Sequence, residues 1–478
     1  MNRILVAMIV LFCAGAALLG AGAWLVLSGP AGGGAAAERP DVVLLVIDAL
    51  RADRLGMERN GQPLTPFLDG LAKESLVFTN AITQCSWTRP SLASIFTSLH
   101  VDAHQVYFDN APKETGKTSA DALSPQLETL AEYLKANGYR TGGVQTNGNL
   151  KRELGFGQGF DSYDYLPDAP AAQITDAAVK TMGAMDGKGP RVLYVHYIDP
   201  HLPYVPPESY RKMLGWPLKI TPEENAIVTD FLPYFRDYLE YITGQQPAPK
   251  FPQLSPEGQE AVRLLYDGEV RYSDDEVRRL MGEVRRKWPK ALVILTADHG
   301  EHLWDHKFLS HAMTMYDELT RVPLLVNAPG LAPGRTDKPV GLVDLMPSIA
   351  DKAGTTPRPW WQGRSFFGEI PADRVLFSHT EGTLPRFNVS LEMAQQGPLK
   401  LIVNHKHEEA NELYDLSTDP HELTNIASQH PAEVEKFRKL IAAHRLANEK
   451  ARRSAQEKVV LDAETLKQQE ALGYGHGK

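Results

Sequence analysis

Polar residues with metal-binding and acid–base chemistry sit where several apolar runs of this chain end. Asp48 closes "DVVLLVID", Asp298 and His299 close "ALVILTADHG", and Asp199 and His201 follow "RVLYVHYID". Two carboxylates and an imidazole make a reasonable donor set for a divalent cation. A hydroxyl is close to a helix start as well: Thr88 in "WTRPSLASIF" precedes a proline in the first turn of a helical pattern, with Ser91 inside that turn. Held against a metal at a helix N-terminus, where the dipole favours anions, such a hydroxyl could attack an anionic ester. Each residue also has a plain structural reading, because threonine and aspartate are ordinary N-caps.

The elements around these residues alternate, as in a doubly wound α/β sheet. The continuous β-branched run at 41–48 predicts a strand buried on both faces. Segment 65–78 predicts a helix leading into a strand, 91–99 a helix, and 139–147, 191–199, 291–300 and 321–330 further strands. In open α/β sheets, polar residues at the carboxyl ends of strands converge on one rim, where ligands bind. The irregular stretch 208–262 reads as an insertion or lid within a catalytic domain over 41–355. A smaller α+β subdomain with an antiparallel sheet follows over 356–450, with "VLFSHTEG" and "LKLIVNHK" as strands and an amphipathic helix near 431–448. The charged stretch 451–478 reads as a frayed tail.

A net charge of −9 gives no electrostatic reason to expect nucleic acid as a partner. Of the two cysteines, Cys13 lies in an apolar N-terminal stretch out of reach of Cys85, so no disulfide is expected and Cys85 reads as a small buried hydrophobe. Residues 1–28 carry Arg3 and then an uncharged run from Ile4 to Leu27, long enough to span a bilayer, and 29–40 form a glycine-rich linker. This predicts a membrane anchor with the catalytic domain outside the cytoplasm, periplasmic or extracellular, or a secreted chain if the segment is cleaved.

Ten stretches in order, among them "VVLLVIDALRADRLG", "PSLASIFTSL", "LYVHYIDPHLPY", "ILTADHGEHLWDH" and "ELYDLSTDPHELTNIA", resemble the sulfatase family of the alkaline phosphatase superfamily over about 41–430. The resemblance implies an α/β sandwich with a mostly parallel central sheet and a smaller C-terminal subdomain. It implies one divalent ion (Mn, Mg, Ca or Zn) held by Asp48, Thr88, Asp298 and His299, with Thr88 as nucleophile. It also implies that His201 and His311 contact the leaving group or the transferred anion; Asn147 is a candidate for touching that anion.

The departures from the family pattern bear on the chemistry. Sulfatases mature a Cys or Ser in Cys/Ser-x-Pro-Ser-Arg to formylglycine; here Thr88 holds that place and Leu92 replaces the Arg. Cys85 is three residues out of register, Ala49 stands where a second acidic ligand is usual, and "GGVQTNGNL" lacks the Lys and His of the family's Gly-Lys-Trp-His segment. The pattern resembles membrane-anchored relatives that move phosphoglycerol or phosphoethanolamine groups. The expected activity is a hydrolase or transferase acting on phosphate or phosphodiester esters, with lipid- or glycan-linked esters among the candidate substrates, through a covalent intermediate on Thr88. A sulfatase proper and a membrane-tethered pseudoenzyme with a binding role are the alternatives.

Overall fold

A computed structural model describes residues 39–107, 119–230, 254–382, 389–407 and 410–472. The expected anchor at 1–28 and the linker up to residue 38 lie outside the described residues. No helix among the described residues is long and apolar enough to cross a membrane.

Eight strands form the central sheet: β1 (Val42–Ile47), β2 (Leu76–Phe78), β3 (Arg140–Gln145), β4 (Ser162–Tyr165), β5 (Arg191–Tyr197), β6 (Leu292–Thr296), β7 (Leu324–Asn327) and β8 (Gly334–Thr336). Their spatial order is β8-β2-β7-β6-β1-β5-β3-β4. β7 pairs antiparallel with both neighbours, and every other pairing is parallel. All six residues of β1 are buried, as expected for a central strand covered on both faces. The expected helix-to-strand unit is present as α1 (Pro66–Lys73) and β2, and the helix after the threonine as α2 (Thr88–Thr97). α3 (Val101–His104) follows, then α4 (Ala171–Ala184) and the long α5 (Pro256–Lys287).

The region expected as an irregular insertion contains helices at Glu208–Met213 and Pro222–Thr229 and the start of α5, while 231–253 lies outside the described residues.

The second sheet is antiparallel in the order β9 (Leu376–Gly382), β10 (Val389–Gln396), β11 (Leu399–Asn404) and β12 (Glu412–Asp415). Both of its faces are covered. Leu376, Leu391, Met393 and Ile402 pack with Ile82 and Met315 of the catalytic domain. Ala394, Leu401 and Val403 pack with Phe437 and Ile441 of α6 (Pro431–Ala451). Burying each of those last two side chains contributes roughly 1.5–3 kcal/mol.

The stretch expected as a frayed tail is ordered through residue 472. Glu457–Val460 pairs antiparallel with Ser119–Ala122, and α7 (Ala463–Ala471) follows. The pairing partner lies more than 300 residues back along the chain, which is why local composition does not reveal it.

Candidate active site

β6, β1, β5 and β3 are consecutive neighbours in the sheet, and the chain leaving their carboxyl ends carries Asp298 with His299, Asp48, His201 and Asn147 respectively. After Asp48 the backbone turns through Ala49 at φ +57°, a left-handed conformation that costs a non-glycine residue about 1 kcal/mol or more. The turn is held by the Ala49 N–H donating to Asp298 Oδ1 at 3.3 Å and by the Tyr266 hydroxyl donating to the Ala49 carbonyl at 2.8 Å. After His299 the exit needs glycine for space, because a Cβ on Gly300 would lie 1.9 Å from the Glu318 carbonyl oxygen.

Thr88 is the first residue of α2, after Trp87 in extended conformation. Its hydroxyl lies 3.2 Å from His299 Nε2 and 3.5 Å from Asp48 Oδ2, so the residue does more than start a helix. The His299 Nδ1–H donates to the Gly300 carbonyl at 2.8 Å, which leaves the lone pair on Nε2. That atom is 3.4 Å from Asp48 Oδ1 and 3.5 Å from Asp298 Oδ2. Asp48, Thr88, Asp298 and His299 are all fully buried, and Asp48 Oδ1 and Asp298 Oδ2 make no hydrogen bond.

Two buried carboxylate oxygens with no donor would be costly in a closed site. Donors to one small cation at about 2.1 Å each lie roughly 3.0–3.5 Å apart. His299 Nε2 lies at about that distance from the other three expected ligands, Thr88, Asp48 and Asp298.

The charges around this cluster agree. Burial opposes ionisation of Asp48, but the fields of His201, His196 and His299 and a hydrogen bond from His196 outweigh it and hold its carboxyl well below the usual range. Burial and the Asp48 charge push Asp298 well above its ordinary value, and burial and neighbouring His311 push His299 well below. A cation among them would restore the charge of Asp298 and keep the imidazole neutral, as ligation requires.

His196, which reads in sequence as a satisfied core histidine, also serves this cluster. It is fully buried, its Nδ1 lies 2.8 Å from the Tyr194 hydroxyl, and its Nε2 lies 2.9 Å from Asp48 Oδ2. With Tyr194 donating to Nδ1, the Nε2–H donates to Asp48 and orients that ligand; one donor atom each of His196, Asp48 and Asp298 also lie within 4.8 Å of one another. Asn147 acts similarly: its Nδ2 donates to the same Asp48 oxygen at 2.7 Å, an assignment that composition alone could not have made.

His201 and His311 are brought together, with ring centroids 4.8 Å apart, and His311 lies 4.3 Å from the His299 ring. The His201 Nδ1–H donates to the Leu202 carbonyl at 2.5 Å. His311 Nδ1 shares a proton with Glu301 Oε1 at 2.9 Å. Burial lowers both histidines, His311 to about 4, and pushes the Glu301 carboxyl up to about 8. Glu301, three residues after Asp298 in "ADHGEH", belongs to this cluster through its contact with His311.

The remaining candidates lie apart from this chemistry. Asp199 accepts from the Ala171 N–H at the start of α4. Arg51 pairs with Asp53 and Asp305, as a structural ion pair would. His302 and His306 are packed, not solvated: His302 is buried against Thr314, and His306 stacks on Tyr316. Cys85 is buried and free, and burial pushes its thiol up to about 12, which leaves it inert.

The sulfatase family model matches residues 40–355. The chain belongs to the sulfatase family. A second match, described as N-sulphoglucosamine sulphohydrolase, C-terminal, covers residues 300–449. Among curated relatives, the chain is 24% identical over 474 residues to the multifunctional alkaline phosphatase superfamily protein PehA of Trinickia caryophylli, spanning 81% of this chain and 91% of that one. It is 25% identical over 466 residues to a choline-sulfatase of Rhizobium meliloti, spanning 85% and 87%. The phosphonate monoester hydrolase of Silicibacter pomeroyi shares the fold with a TM-score of 0.65 at 23% identity, covering 86% of this chain and 96% of that one. This sulfatase-family chain is thus an ester-hydrolysing enzyme of the sulfate or phosphate ester class, with the family's α/β fold and a donor set for its divalent ion.

Proposed function

We propose that this enzyme is a metal-dependent phosphohydrolase, acting on phosphate or phosphodiester esters through a covalent phosphothreonine at Thr88. The observation that carries the reading is an unmodifiable hydroxyl where the family needs a formylglycine precursor, with its Oγ1 3.2 Å from His299 and 3.5 Å from Asp48. A formylglycine hydrate releases sulfate by collapsing to the aldehyde. A threonine carries a methyl on Cβ and has no such exit. A phosphothreonine can be resolved by a second in-line attack.

In the first step the Thr88 oxygen, its proton already released to solvent, forms a bond to phosphorus as the bond to the leaving oxygen breaks. The leaving oxygen takes a proton from His201 or His311, whose rings lie together beside His299. An anionic ester between them raises their proton affinity, which burial otherwise lowers. Water then attacks in line, the bond from phosphorus to Thr88 breaks, and the water proton passes to the histidine that gave one up. A divalent cation, when bound, supplies charge stabilisation for the transferred group and for the ionised hydroxyl. Asp48, Asp298, His299 and Thr88 would hold it; the sequence leaves Mn, Mg, Ca and Zn open. Transfer to an acceptor other than water follows the same second step. If Ile4–Leu27 anchors the chain, these steps take place outside the cytoplasm, near lipid-linked esters.

The test is accurate-mass analysis of the Thr88 peptide from enzyme quenched during turnover of nitrophenyl phosphate, phosphodiester and sulfate esters. A phosphorylated Thr88 is expected; full activity in Thr88→Ala overturns the reading. Sulfate-ester hydrolysis is the second reading, favoured by relatives such as the choline-sulfatase. A sulfated Thr88 or formylglycine at position 85 would carry it instead.

A further inference from the structure

A second group of metal-type side chains meets where α3 joins the C-terminal sheet. Asp102 is on α3, and His379 on β9 faces Glu392 on β10 as a directly opposed cross-strand pair. One donor atom from each of the three lies within 4.8 Å of the others, and all three residues are buried. A void of about 10 Å³ lies among them, lined also by His100 and by His444 of α6. That is room for one water or one ion.

The contacts within this group resemble those at Asp48, Asp298 and His299. His379 Nδ1 is 3.0 Å from Asp102 Oδ1 and 4.0 Å from Glu392 Oε1, and Nε2 is 3.5 Å from Glu381 Oε2. Neither ring nitrogen makes an aligned hydrogen bond, although the side chain is 7% exposed. Atoms about 3 Å apart that do not point at one another are what neighbouring ligands of a common ion look like. Other groups reach the acids as well: the Tyr107 hydroxyl donates to Asp102, His405 meets the far oxygen of Glu392 at 2.7 Å, and half-buried Arg445 is 3.7 Å from the near one.

We propose that Asp102, His379 and Glu392 form a second divalent-cation site, which clamps the C-terminal sheet to the catalytic domain. One imidazole and two carboxylates suit zinc-type ions better than calcium or magnesium, which favour all-oxygen shells. The competing state is ion-free, with His379 doubly protonated among the carboxylates. The two states differ in metal content, independently of activity.

Full-length enzyme dialysed against zinc and then against metal-free buffer should hold two equivalents by mass spectrometry. His379→Phe and Glu392→Gln should each hold one, and so should Asp298→Asn, which removes a ligand of the other cluster. To separate metal loss from misfolding, cobalt is added to the Asp298→Asn protein: visible d–d absorption is expected there and should vanish in Asp298→Asn/His379→Phe with an unchanged circular dichroism spectrum. One equivalent in the unaltered enzyme, or two that survive His379→Phe, would overturn the proposal, as would cobalt bands that persist in the double variant.

Discussion

The Ser91 hydroxyl donates to the backbone carbonyl of Asp298 at 2.7 Å and is itself 2.8 Å from Thr83 Oγ1. Ser91 lies one turn into α2, the helix that opens with Thr88, so this bond ties the nucleophile's helix to the strand end carrying Asp298 and His299. It fixes a separation on which the reaction depends, since a displacement of about 1 Å can cost a hundredfold in rate.

Ser91→Ala leaves the Asp298 carbonyl without that donor in a fully buried setting. Unfolding free energy should fall by about 1–3 kcal/mol in urea titrations. The rate constant kcat should fall about tenfold or more while KM changes little, because the substrate pocket is intact and only the nucleophile has moved. An unchanged kcat would mean that α2 is positioned by its other contacts alone.

His196 acts on the metal ligand and not on the substrate. His196→Phe fills similar volume but removes the donor to Asp48 Oδ2 and leaves the Tyr194 hydroxyl without its partner. Losing a partner that orients a metal ligand typically weakens metal binding 10–100-fold. Calorimetric titration of the metal-free enzyme should show that loss, and saturating metal should restore most of the activity. Tyr194→Phe should have the same sign with a smaller effect, because Asp48 keeps its bond from His196.

Stability should carry a pH signature from Asp274 on α5. Its carboxylate accepts the Phe67 and Leu68 N–H groups at the start of α1, at 2.9 and 2.8 Å, yet burial pushes it up to about 6. The native state therefore binds this proton more tightly than the unfolded chain, where the group titrates near 3.8. The stabilisation is present in full below about pH 4 and is lost as pH rises through 6. Between pH 4 and 7 the unfolding free energy of the unaltered enzyme should fall relative to Asp274→Asn, by at most about 3 kcal/mol. A pH-independent difference between the two would show that Asp274 is ionised throughout.

How much of this was legible in the sequence depended on whether a residue's role is local. β1 reads as a buried strand because all its side chains are apolar, and "ADHG" reads as a ligand pair because both groups follow one strand. Thr88 could be separated from an ordinary helix-starting threonine only through the family resemblance; in the structure, two distances separate it. His196 was not legible, since a histidine inside a buried strand looks the same whether its partner is a tyrosine or a metal ligand from the next strand. The order in residues 457–472 was hidden for a related reason, because a polar stretch paired with a distant part of the chain carries no periodic signal of its own.

That C-terminal stretch reaches the active site through few atoms. Gln469, fully buried on α7, donates from Nε2 to Asn149 Oδ1 at 3.1 Å. The same oxygen accepts from Arg89, the neighbour of Thr88, at 2.7 Å. The Asn149 N–H donates to Asn147 Oδ1 at 2.9 Å, and Asn147 holds Asp48. Nearby, Lys151 donates to Thr465 at 2.8 Å and Tyr165 to Gln468 at 2.6 Å, so α7 is fastened to the loop after β3 at two points and to the end of β4 at a third. Gln469→Ala removes one hydrogen bond and should cost about 1 kcal/mol of stability, read from the urea midpoint. Its effect on catalysis should exceed that, with kcat down several-fold and metal affinity weakened in the same direction as in His196→Phe, because the lost bond orders the segment that carries Asn147. Thr465→Ala, which touches α7 at a different point, should lower stability by a similar amount with less effect on kcat. Equal kinetic losses in the two variants would mean that α7 supports the fold as a whole, with no particular path to Asp48.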